Sequence, residues 1–214
     1  MDRLAWLPGG NLNTAHEAID RHLRGRNRNK VALIWEGLDN ELETYTFQQV
    51  KIESDRFANV LSSLGVVKGD RILLYLDRIP ELYFTFLGAL KIGALAGILC
   101  PEIDAKKVRD RMSMSSAKIL VTQPVFRRRL GEIIYELFEL QHIVVVNKNG
   151  KDPVPPDIAD LNYEEEMEKA PTEFQIVPTN QLEDATIQFT AGTSKDSNAV
   201  VHQHQAVVQQ YETS

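Results

Sequence analysis

The chain has 214 residues, 43% hydrophobic and 25% charged, which is enough apolar material for the core of one large domain. Its 24 Lys and Arg against 30 Asp and Glu leave a net charge of −6, which argues against general nucleic-acid binding, where cationic surface must displace counterions. A single cysteine excludes an internal disulfide and any Cys/His metal spacing.

Met1–Gly10 lacks a basic patch followed by an apolar core, so no leader is read there and the expected compartment is the cytoplasm. Asn13 and Thr14 with Glu17 predict a helix start, with Ala15, Ala18, Ile19 and Leu23 on one face and His16 and His22 exposed. Val31–Trp35 and Glu43–Tyr45 predict a hairpin around Gly37–Asn40. Thr46 and Gln49 form a capping-box pattern ahead of a helix carrying Phe47, Val50, Phe57, Val60 and Leu61, stopped at Gly65. Arg71–Leu76 reads as a strand covered on both faces. The apolar run Leu82–Cys100 is broken by Lys91 and by Gly88, Gly93 and Gly97, so it reads as a helix opened by Pro80 and a buried strand, Ala94–Leu99, and not as a membrane span. Cys100, at that strand's end, reads as a buried packing residue.

A helix capped by Asp104, a strand Lys118–Thr122, a helix from Pro124 through Leu137 and a strand His142–Val146 follow. This alternation predicts an α/β fold: a doubly wound, mostly parallel sheet with flanking helices. Lys148–Pro156 reads as a linker, dividing residues 1–147, an N-terminal α/β subdomain, from 148–214, the linker plus the start of a further segment. In that segment Leu161–Ala170 reads as a short acidic helix whose Glu164, Glu165 and Glu166 form a solvated face, Ala185–Phe189 and Ala199–His202 as strands, and Gln203–Tyr211 as a helix. The chain stops within or just after this last element, which reads as the mark of a fragment.

Between the last two strands lies Phe189-Thr190-Ala191-Gly192-Thr193-Ser194-Lys195-Asp196-Ser197-Asn198. Hydroxyls and a glycine in a loop after a strand suit phosphate oxygens, although the Walker spacing is absent and polar loops of this kind are common. The stretch from Phe189 to His204 resembles the phosphate loop of adenylate-forming enzymes, the family of acyl-CoA synthetases, luciferases and peptide-synthetase adenylation domains. Phe189, Thr190, Gly192, Thr193, Ser194, Val200, His202 and His204 fit the family pattern without a gap. Val67–Leu73, Pro80–Phe84 and Leu87–Ala94 are similar to its first conserved block. Asn11–His22 and Val207–Tyr211 point to the acetyl-CoA synthetase branch in its Gram-positive bacterial form.

The resemblance spans nearly the whole chain but only the opening third or so of such an enzyme. It implies an AMP-forming acetate or acyl-CoA ligase using ATP, CoA and Mg, with Thr190, Gly192, Thr193, Ser194 and Lys195 at the nucleotide phosphates. It also places an arginine pair for the CoA 3′-phosphate on or beside Arg127, Arg128 and Arg129, although by charge pattern alone these read first as a solvated helix start. The departures are Lys195 at the second loop glycine and Ser197, Asn198 and Ala199 at Pro-Lys-Gly, with Asp196 adding negative charge. His202 and His204 alternate on a strand and are not read as a metal pair. The expected consequence is a degenerate loop and a chain that does not catalyse alone, with no catalytic residue assigned and at most residual nucleotide or CoA binding. The alternative is a non-catalytic protein-interaction or regulatory module. An exposed apolar face and sheet edge would favour a homodimer or a protein partner.

Overall fold

In the computed structural model the described residues are 11–38, 40–148, 150, 160–190, 198–206 and 209. The first helix, α1 (Thr14–Ala18), is capped by Asn13, whose side chain accepts from the N–H groups of Ala15 and His16. It passes at Ile19 into a 3-10 turn, Asp20–Leu23, so the predicted face is split after one turn. Strands β1 (Val31–Glu36) and β2 (Leu42–Thr46) pair antiparallel as the expected hairpin. The capping box of α2 (Phe47–Ser63) is present: Thr46 Oγ1 accepts from Gln49 N–H at 3.3 Å, and Gln49 Oε1 accepts from Thr46 N–H at 2.8 Å. After β3 (Arg71–Tyr75) comes α3 (Pro80–Lys91), then β4 (Leu95–Ile98), α4 (Ala105–Ser115) and β5 (Ile119–Thr122).

The helix predicted from Pro124 to Leu137 is two elements. Helix α5 (Pro124–Leu130) ends where Gly131 takes φ 49°, and Gly131–Glu136 continues as a 3-10 turn. Then follow β6 (His142–Val145), β7 (Asp160–Asn162), α6 (Tyr163–Lys169), β8 (Asp184–Phe189) and β9 (Ala199–Gln203). Strand β7 carries no readable pattern, because three residues are too short for an alternation to show.

Seven strands form one sheet in the order β7-β6-β5-β3-β4-β8-β9. All neighbours are parallel except the last pair, β8 and β9. The fold is therefore the expected doubly wound α/β sheet, and strands from both predicted segments add to it. Alternate residues of the central strands point into two cores. Ile72, Leu74, Val121 and Val144 meet residues of α1, α2, α3 and α6 on one face. Leu73, Tyr75, Leu120 and Val145 meet those of α4 and α5 on the other. None of the described helices is long and apolar enough to cross a membrane.

Candidate functional site

A parallel sheet gathers the ends of its strands at one carboxyl edge, and its connecting loops form a crevice there. Strand β8 pairs parallel with β4, Ala96 opposite Thr186 and Gly97 opposite Ile187. Gly97 allows this approach: a Cβ at that position would stand 2.5 Å from Leu73 Cδ2 and 3.2 Å from the Ile187 carbonyl. The chain leaves β8 at Phe189 on the same edge as the ends of β3, β5 and β6, and returns antiparallel in β9 with Phe189 opposite Ala199. Thr190 N–H donates to the Asn198 carbonyl at 3.0 Å and closes the mouth of the connecting loop. Thr190, the first predicted phosphate residue, is exposed there. Gly192, Thr193, Ser194 and Lys195 lie outside the described residues.

Two contacts pin the stem of this hairpin. On one face the Arg111 guanidinium of α4 lies 5.3 Å from the centre of the Phe189 ring. On the other, His204 follows β9 and is fully buried. Its Nδ1 accepts from Thr14 N–H at 3.2 Å and lies 2.9 Å from Thr14 Oγ1. An accepting Nδ1 places the neutral ring's proton on Nε2. Burial holds its pKa down at about 4. The strand ends at Gln203, so His204 opens a helical turn instead of alternating with His202 on one strand. His202, opposite Thr186, lines a cleft of about 710 Å³ with Thr14, Phe86, Ile98 and Gln188. Among the described residues no three His, Cys, Asp or Glu side chains converge.

The three predicted arginines separate. Arg127 is buried and its Nε lies 3.0 and 2.8 Å from the two carboxylate oxygens of Asp160, tying α5 to β7. Arg129 is exposed, and its Nη1 donates to Tyr75 Oη at 3.0 Å and to the Pro101 carbonyl at 2.7 Å. Arg128 is exposed as well. These contacts hold Arg129 beside the ends of β3 and β4, on the carboxyl edge where the chain leaves β8 at Thr190.

Three expectations for other residues change. Cys100 is exposed, with its thiol on the Glu102 carboxylate, because the strand ends at Ile98 and the side chain falls in the following turn. His16 and His22 are half-buried, and His22 packs its ring 4.9 Å from that of Phe47. Glu164 is not a plain surface residue: its Oε1 accepts from Asn147 N–H at 2.9 Å, and burial raises its pKa. Arg111 was missed, although it shares helical spacing with Val108, Met112 and Ser115, and a cation on an apolar stripe is a readable signal.

Residues 19–214 match the family described as AMP-binding enzyme. The chain belongs to that family. It is 40% identical over 205 residues to an acetyl-coenzyme A synthetase of Bacillus subtilis, covering 95% of this chain and 35% of that protein. It is 32% identical to one from Methanothrix thermoacetophila, over 93% of this chain and 32% of that protein. The crystal structure of an acyl-CoA synthetase from Brucella canis superposes with a TM-score of 0.83 at 28% identity, over 96% of this chain and 36% of that one. The chain therefore spans about a third of the length of the relatives it matches.

Proposed function

We propose that this chain is the nucleotide-facing N-terminal part of an AMP-forming acetate or short-acyl CoA ligase. The observation that carries this reading is the hairpin β8–β9. Its strands open at Thr190 and Asn198 on the carboxyl edge of a parallel sheet, the side on which such sheets take ligands, and the sequence between them carries hydroxyls and a glycine. Thr190, Gly192, Thr193, Ser194 and Lys195 are assigned to the ATP phosphates. Arg128 and Arg129 are assigned to CoA in preference to Arg127, which is buried with its Nε on Asp160. The loop is degenerate. Asn198 and Asp196 replace cationic and neutral positions, and each lost charge-assisted contact costs about 1.5–3 kcal/mol.

The 214 residues taken alone bind nucleotide weakly and do not complete adenylation, which needs acyl carboxylate, ATP and metal positioned together. Acetate-dependent exchange of pyrophosphate into ATP tests this directly. The purified chain is expected to show none above blank, and measurable exchange means that these residues suffice. The proposed compartment is the cytoplasm.

A second reading, a protein-interaction module, is favoured by one observation. Strand β9 ends the sheet among the described residues, and it exposes Val200 at 40% and Val201 at 45% without a charged side chain. On this reading two copies pair through β9. Light scattering at high protein concentration should then give twice the monomer mass, and a monomer at all concentrations excludes it.

A further inference from the structure

We propose that Arg111 is an anion-binding residue that takes phosphate oxygens at the root of the β8–β9 loop. The proposal rests on the reading of that loop as a nucleotide site. Three cationic side chains are buried among the described residues: Lys91, Arg111 and Arg127. Lys91 pairs with Asp55 and Asp20, and Arg127 with Asp160. Arg111, only 7% exposed, meets no carboxylate among the described residues, and its Nε has no acceptor.

A buried charge is ordinarily paired. The face of Phe189 offsets the lost hydration only in part. A planar fork of unpaired donors matches a phosphate group. The fork is also held at a telling place, against the last residue of β8 and one residue before Thr190. Nucleotide phosphate, free pyrophosphate and a carboxylate substrate share the anionic oxygen that would complete it.

The test is nuclear magnetic resonance on the nitrogen-15-labelled 214-residue chain, following the Arg111 Nε–Hε signal, assigned through bonds, during titration with pyrophosphate, ATP and acetate. A saturable shift with pyrophosphate and ATP, and none with acetate at the same concentration, is expected. A shift with acetate alone makes the site a carboxylate site and overturns the phosphate assignment. If the Thr190 and Asn198 amides shift while Arg111 stays still, Arg111 is not the ligand and the nucleotide reading survives. If no signal moves, both fall.

Arg111→Met supplies a second readout. It should bind pyrophosphate about tenfold or more weakly, with a thermal midpoint unchanged or raised. A purely structural arginine would lower the midpoint and leave pyrophosphate affinity intact, which overturns the proposal.

Discussion

At the scale of single residues the fold depends on buried charges that are paired. Lys91 Nζ lies 2.7 Å from Asp55 Oδ1 and 3.0 Å from Asp20 Oδ2, with the lysine and Asp55 fully buried. Asp55 also accepts from Lys51 and from Phe174 N–H, so it joins α2, α3 and the segment before β8. Removing one member leaves an uncompensated charge in the core. Lys91→Ala should cost about 3–5 kcal/mol, read as a lower urea midpoint with an unchanged slope.

His204 gives a pH prediction. Its pKa is held at about 4 against 6.5 when unfolded, because burial disfavours the charged ring. The unfolded chain then takes up a proton first as the pH falls. Its contribution is whole above pH 6.5 and is lost between there and about pH 4. A His204→Gln chain should therefore lose less stability over that window than the unaltered one, by about 2–3 kcal/mol, in denaturant titrations at each pH. Equal losses would mean that the ring is not held neutral. None of these pairings was legible beforehand. Lys91 stood in the sequence only as an interruption of an apolar run, and its partners lie 71 and 36 residues away.

At the scale of elements the sequence was far more legible, because caps and stops are local. The Thr46 and Gln49 pattern predicted the start of α2 and the structure has it. Thr46→Ala should cost about 1 kcal/mol. The stop near Gly65 follows from its φ of 77°, which a side chain would strain. Packing between helices left a weaker trace. A Cβ on Gly88 would stand 2.8 Å from the Ser54 carbonyl and 3.0 Å from Phe57. Gly88→Ala should thus destabilise by about 1–3 kcal/mol despite alanine's better helix propensity, measured by thermal melting. The misses at this scale have different causes. Gly131 takes a positive φ like the stop at Gly65 but was read through because the apolar spacing continues to Leu137, and β7 is too short for a period.

At the scale of the whole molecule, the alternation of strand and helix was enough to give a doubly wound sheet, and the phosphate-loop pattern was enough to give the family. The strand order was not legible, since it depends on which strand β8 joins across more than 80 residues of chain, fixed by Gly97 at the contact with Ile187. Nor was the separation of Arg127 from its neighbours, because Asp160 reaches it from a strand the sequence did not reveal. What the fold does bring together, on one edge, are Thr190, Asn198 and Arg129, with Arg111 against Phe189.

On the proposed function this edge holds a nucleotide by its phosphates. Calorimetric titration of the chain with Mg-ATP, alongside AMP and CoA, measures that most directly. Saturable heat with ATP, weaker with AMP, is the predicted result. The absence of heat with all three ligands at millimolar concentration would contradict it.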